Sequence, residues 1–166
     1  IQHFIHWQSL DFKDPYKEIN SDSDIWSSIL RLEHQNTLGK HAILQSLVEW
    51  SMTSVNSTDY ELIRSRWSLL HRHTIHGEFG TRNTLRVDVN QAYYNDFGWN
   101  WSGELGWKSK LSRVLGLRIL SAKHSVIPTF NDLYWPVLGN SDLNSEQVYS
   151  VESGLEWAQT PFEWDG

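Results

Sequence analysis

The sequence predicts a mainly α-helical protein, a four-helix-bundle-like domain with a small β element, with residues 1–166 forming a single domain. Three observations predict it. Apolar residues recur at three- and four-residue spacings in several stretches. Thr58-Asp59-Tyr60-Glu61 has the spacing of a helix capping box. Leu85, Val87 and Val89 alternate with Arg86, Asp88 and Asn90, the pattern of one short strand.

Taken in order, residues 1–22 read as irregular, with Asp14-Pro15 as a turn. Ser23 is placed to cap a helix over about 24–35, with Ile25, Ile29 and Leu32 on one face. A second helix fits about 37–52 through Leu38, Ala42, Leu44, Leu47 and Val48. The third follows the capping box with Ile63, Trp67 and Leu70, and Gly77 suits its stop. Residues 91–107, rich in Gly, Asn and aromatics, read as a loop after the short strand. A fourth helix covers 108–124, with Leu111, Val114, Leu115 and Leu117 on its apolar side. Pro128 and Pro136 argue against much helix beyond it.

Composition narrows the function classes. There is no cysteine, which excludes a disulfide scaffold and thiolate metal sites and argues against secretion. No apolar run approaches the roughly 20 residues of a membrane-spanning helix, so no membrane association is expected. The net charge of −6 is unevenly spread: residues 62–123 carry ten Lys/Arg and four Asp/Glu, between two acidic ends. A basic middle suggests a local anion site, and the same pattern also fits solvated charges segregated by chance. Ten tryptophans are more than a core of this size needs, so some read as contact surface.

Catalytic signatures are absent: no GxSxG elbow, P-loop or GxGxxG occurs, and neither an enzyme activity nor a cofactor is expected. His71, His73 and His76 with Glu78 match no metal-binding spacing and read better as polar residues on the last turn of a helix. The segment Phe79-Gly80-Thr81-Arg82-Asn83 follows a helix stop inside the basic middle. Its Arg82, with Arg86, Arg113 and Arg118, could converge on phosphates, or pair with local acids such as Asp88.

Residues 79–92, Phe-Gly-Thr-Arg-Asn-Thr-Leu-Arg-Val-Asp-Val-Asn-Gln-Ala, resemble the segment FDTRNRIIEVENQA of the tobacco mosaic virus-like coat protein family of rod-shaped plant viruses. Echoes occur at Asp14-Pro15 with Ile19-Asn20, at Leu47-Val48-Glu49-Trp50 and at Glu152-Ser153-Gly154-Leu155-Glu156-Trp157. Thr84 replaces a second arginine of the family, and its RFP motif has no counterpart in 51–57. The resemblance implies a structural coat subunit that assembles helically with copies of itself and encapsidates single-stranded RNA, in a virion or the host cytoplasm. It implies RNA contacts at Thr81, Arg82, Asn83 and Arg113, to which charge and spacing add Arg86. It further implies inter-subunit carboxylates at Glu49, Asp88 and Glu104. Two other readings stay open: an acidic protein-binding module such as an inhibitor of a basic nuclease, and a small α+β enzyme with a Trp/His-lined pocket.

Overall fold

A computed structural model describes residues 2–13, 20–59, 63–136 and 138–157. The chain is almost entirely β. Its strands are β1 (Gln2–Lys13), β2 (Asn20–Leu38), β3 (Ala42–Ser57), β4 (Arg64–Phe79), β5 (Asn83–Tyr94), β6 (Gly98–Lys110), β7 (Leu115–Val126) and β8 (Glu146–Trp157). One short helix, α1 (Phe130–Tyr134), lies between β7 and β8. The strands form one antiparallel sheet in sequence order, β1 to β8, each paired with the next.

The expected helical bundle is therefore wrong, and the physical reason lies in side-chain period. Residues three or four apart share a helix face, but in a strand only even spacings do. Trp67 and Leu70, taken as one helical stripe, project to opposite sides of β4. The expected helix at 24–35 falls within β2, that at 37–52 spans the end of β2, the 39–41 turn and most of β3, and that at 108–124 spans the end of β6, a bend and most of β7. The expected loop 91–107 holds the end of β5, a turn at 95–97 and most of β6. The short strand at 85–89 lies inside β5. Asp14-Pro15 and Ile19 lie outside the described residues, as do Tyr60 and Glu61 of the supposed capping box. Thr58 instead bridges to the start of β2, its N–H donating to Asp22 O at 3.0 Å and its Oγ1 accepting from Asp22 N at 3.0 Å.

The two ends of the sheet differ. At one end, β2–β3, β4–β5 and β6–β7 are joined by the short connections 39–41, 80–82 and 111–114. At the other lie residues 58–59, the turn 95–97 and the described part of the long connection between β7 and β8. Gly80 (φ 65°) sits in the left-handed region that the β4–β5 reversal needs.

The two faces differ more. Strand partners share a face, so the register sorts every residue. One face carries Leu30, Val48, Leu69, Ile75, Val87, Val89, Leu105, Leu117, Ile119 and Val151, with most of the tryptophans. The other carries Arg31, Glu33, Glu49, Arg66, Arg72, Glu78, Arg86, Asp88, Glu104, Lys108, Arg118 and Glu152. Among described side chains, the strands place only Asp22, Asp24 and Lys123 as Asp, Glu, Lys or Arg on the apolar face. That apolar face is open: Trp99 is 71% exposed and Val151 77%. No residue larger than Leu belongs to the buried apolar set of Val55, Ala92, Ala122 and Leu133.

A capping box does exist, at Thr129 rather than Thr58. The Thr129 side chain accepts from Asp132 N, and the Asp132 carboxylate accepts from Thr129 N at 2.8 Å and from its hydroxyl at 2.8 Å. These bonds hold the Asp132 carboxyl below the usual aspartate range, the backbone N–H contributing most. A depressed pKa gives stability that is present above the unfolded value of about 3.9 and lost as pH falls through the folded value. Acidification to about pH 3 is expected to lower hydrogen-exchange protection of the Leu133 amide, which bonds Thr129 O, and Asp132→Asn to remove that pH dependence. Gly80→Ala is expected to cost about 1 kcal/mol in denaturant unfolding. Gly154→Ala, where an added Cβ meets nothing within 4 Å, is expected to cost less.

Candidate functional site on the charged face

The charged face is organised by side-chain pairs, across strands at Arg31–Glu49 and Arg72–Asn90 and within β5 at Arg86–Asp88. On β2 and β3, Arg31 donates to Glu49 Oε2 through Nε (2.9 Å) and Nη2 (2.6 Å), with Glu33 at 3.9 Å on its other side. Further along, Arg72 Nε donates to Asn90 Oδ1 at 2.6 Å, and Arg86 Nε to Asp88 Oδ2 at 2.6 Å. The buried Asp88 also accepts a short hydrogen bond from the Thr74 hydroxyl. The more exposed of these pairs contribute little to stability each. Their weight is geometric, fixing guanidinium and carboxylate groups along one wall.

Two recesses open on this wall. One, of about 550 Å³, is lined by His76, Glu78, Arg86, Glu104, Lys108 and Arg118, among others. Its neighbour, of about 380 Å³, is lined by Glu33, Gln35, Gln45, Arg72 and Asp88, among others, and shares Arg86. Both hold charges of both signs, a lining suited to a polar solute or a polypeptide surface.

At the long-loop end, the connection 127–145 turns back over the charged face. Phe130 and Trp135 share a recess of about 500 Å³ with Leu10, Ile25, Thr53 and Val55 of the sheet. Arg66 pins it there. Its Nε donates to Asp96 Oδ2 at 2.7 Å and its Nη1 to Pro128 O at 2.9 Å. The same guanidinium lies 5.1 Å from the Phe97 ring centroid and 4.9 Å from that of Phe130. Arg64 stacks on Tyr134 at 4.0 Å. Buried Arg64 Nε and Arg66 Nη2 have no hydrogen-bond partner.

The residues singled out by sequence scatter across this architecture. Thr81 and Arg82 lie in the 80–82 turn, and Arg113 in the 111–114 bend, all exposed at the short-turn end. Asn83 opens β5, its side chain donating to Phe79 O at 3.4 Å. Arg86 is on the charged face, tied to Asp88. Glu49 pairs with Arg31 of its own sheet, and Glu104 sits opposite Asp88. His71 and His73 project from the apolar face, ring centroids 4.2 Å apart, and His76 from the other. Among the described residues no three His, Cys, Asp or Glu could hold a metal ion. Sequence reasoning missed Arg31, Arg64, Arg66 and Arg72. For the last three the signal was present in β4, where Arg64, Arg66, Arg72 and Thr74 alternate with Ser65, Trp67, His73 and Ile75.

The apolar face carries its own order. Trp7 and Trp26 are opposite each other on β1 and β2. From there Trp67, then Trp50, Tyr93 and Trp99, then Trp101, then Tyr149 step across to β8, each moving toward the short-turn end. Trp67–Tyr93 and Tyr93–Trp99 centroids are 5.3 and 5.4 Å apart. Phe79, Trp107 and Trp157 form a second line at the short-turn end.

No family model matches the chain. It is 30% identical over 81 residues to the vitamin B12 transporter BtuB of Photobacterium profundum, covering 49% of this chain and 13% of that protein. Its fold is similar to the siderophore receptor PirA of Pseudomonas aeruginosa, with a TM-score of 0.77, 16% identity and coverage of 95% of this chain and 36% of that one. It is also similar to a mutant of the ferric enterobactin receptor PfeA of Pseudomonas aeruginosa, solved in complex with enterobactin. There the TM-score is 0.70 at 15% identity, over 88% of this chain and 26% of that one. The chain thus spans little more than a third, at most, of the proteins it matches. These are a transporter and two receptors, not enzymes, in agreement with the non-enzymatic expectation. They overturn the coat-protein resemblance, and with it the RNA partner, the helical self-assembly and the virion or cytoplasmic placement away from membranes. Neither the nuclease-inhibitor reading nor the Trp/His-pocket enzyme is supported. The expectation of no membrane association rests on helix length. No helix among the described residues is long and apolar enough to cross one, which says nothing of strands.

Proposed function

We propose that the chain is a stretch of wall from an outer-membrane transport barrel, whose apolar face meets lipid and whose charged face lines the lumen. The observation that carries this is the period-2 segregation over the sheet, with one aromatic line near each end of the apolar face. Spanning barrels alternate apolar-out and polar-in, carry aromatic girdles at both interfaces, and join strands by short periplasmic turns and longer extracellular loops. The oblique course of the first aromatic line is what strands tilted against the membrane plane produce. On β4, Trp67 and Phe79 are twelve residues apart, about 40 Å of strand at 3.3 Å per residue. Tilted at about 45°, that is roughly 28 Å of membrane, close to the apolar band of about 25 Å.

Among the described residues the sheet leaves the outer edges of β1 and β8 unpaired. Open edges are not stable in hydrocarbon, so in this reading further strands pair there in the membrane. Eight strands are about a third of the 22 in large outer-membrane transporters with plugged lumens, in keeping with the 36% of the PirA chain that is covered. The substrate class follows from the likeness to siderophore receptors and a vitamin B12 transporter: a bulky chelate or cofactor, taken in from the long-loop end. There the aromatic and arginine cluster of Phe97, Phe130, Tyr134, Arg64 and Arg66 would meet it first.

Two measurements test this. The full-length protein is expected in the outer-membrane fraction, migrating on unheated gels as a compact barrel that shifts on boiling. Recovery in the soluble fraction would end the proposal. Val89→Arg, on the apolar face at mid-band, is expected to cost about 2–4 kcal/mol in unfolding from lipid, and Asn90→Arg, one residue along on the charged face, much less. Equal costs would show that the faces are not lipid and lumen.

A further inference from the structure

Lys123 is the one charged side chain of the apolar face that is not at the tip of β2, among described residues. It is 9% exposed. It projects three residues before the long-loop end of β7, between Gly103 of β6 and Tyr149 of β8. Its Nζ lies 3.2 Å from the Trp101 ring centroid and 6.0 Å from that of Tyr149. These rings belong to the aromatic line at the long-loop end, and both stand out from the sheet at 57% and 71% exposure. The ammonium is thus at girdle level on the extracellular side, in the reading of the chain as barrel wall on which this inference rests.

Among the described residues no carboxylate pairs with it. Arg66, also held in aromatic contacts, has Asp96, and both it and Arg64 sit on the charged face. A cation on a lipid-facing wall is costly unless it reaches the interface or finds an anion. A ring face supplies part of that stabilisation but no charge. Gly103 leaves the β6 flank without a side chain, and only backbone, Asp88 O, lies 3.3 Å from where a Cβ would be. The ammonium is therefore walled by aromatics on two sides, with no side chain standing on the Gly103 flank.

We propose that Lys123, between Trp101 and Tyr149, binds a phosphate of an anionic glycolipid in the outer leaflet. The phosphate supplies the missing counter-charge, and the exposed faces of the two rings receive the sugar and the upper acyl chain. The contact fixes the height of this part of the wall in the membrane.

The test uses the full-length protein in neutral detergent and native mass spectrometry with three probes: diphosphorylated lipid A, phosphatidylethanolamine and inorganic phosphate. Lipid A is expected to bind, and Lys123→Met to weaken it about fivefold, the effect of one cation near an anionic membrane surface. Lys123→Met keeps the aliphatic stem on an apolar wall, and Lys123→Arg is expected to restore binding. Unchanged lipid A affinity in Lys123→Met would overturn the proposal. So would phosphatidylethanolamine binding as tightly as lipid A, which would leave only acyl-chain contact. Displacement of lipid A by millimolar inorganic phosphate would mark a free-anion site instead and overturn the lipid assignment. Should Lys123→Met not fold, the wild type decides by ionic strength: added salt must weaken lipid A and spare phosphatidylethanolamine. Failure to reach the outer membrane defeats the barrel reading itself, whereas a membrane-embedded barrel with an indifferent Lys123→Met defeats only this inference.

Discussion

One constraint organises this chain: every residue of a strand must face one of two environments, and successive residues must face different ones. With a side-chain period of two, the register that pairs Thr74 with Asp88 and Asp88 with Glu104 also puts Ile75 with Val87 and Val87 with Leu105. A slip of one residue anywhere in the sheet would carry a row of arginines onto the apolar side. The cross-strand pairs are read best in this light. Arg31–Glu49 and Arg72–Asn90 join directly opposite residues of neighbouring strands; such exposed pairs are weak as stabilisers, but each is available in one register only. A soluble sheet would bury one face in a core. This one leaves its apolar face open, with almost no buried side chains of any size, so the compensation for that exposure must come from what lies against it.

This also explains what was legible in the sequence. Leu85, Val87 and Val89 alternate with polar residues, and that strand was read correctly in kind, although β5 extends to Asn83 and Tyr94. Trp99, Trp101, Leu105 and Trp107 alternate just as well with Asn100, Ser102, Glu104 and Lys108, but the glycines at 98, 103 and 106 gave the segment the composition of a loop. In β2 and β3 the charged face itself carries Ile25, Ile29, Leu47 and Val55. Apolar residues on both faces erase the alternation, and their chance spacing of three and four imitates a helix. Barrel strands give a far weaker signal per segment than spanning helices, and the test for a 20-residue apolar run was blind to them.

The candidate site was legible in part. The excess of positive charge over residues 62–123 was visible and real, yet its meaning depended on a fold the sequence did not reveal. Arg64, Arg66, Arg72 and Arg86 share one wall only because β4 and β5 pair as they do. Arg66 could not have been distinguished from its neighbours by sequence, because its partners come from Asp96 in the next turn and from Pro128, 62 residues away. The capping-box spacing misled at Thr58 and was overlooked at Thr129, where the same chemistry with an aspartate at the third position closes a five-residue helix. The surplus of tryptophan pointed the right way, toward contact surface, but the surface is a line across strands and has no linear signature.

The same geometry links the strap to the wall. The connection 127–145 would be free to extend away from the sheet were it not for one guanidinium that meets a carboxylate, a carbonyl and two phenyl rings at once. Such a multiply held arginine loses little further entropy with each added contact, so the strap is fixed at modest conformational cost. Its consequence is a change in the character of the charged face along its height. Below the strap the wall presents paired charges and polar recesses, and beneath Phe130 and Trp135 it presents an apolar pocket with Leu10, Ile25 and Val55. Along that face the surface therefore passes from an aromatic, partly apolar end to one set with paired charges of both signs.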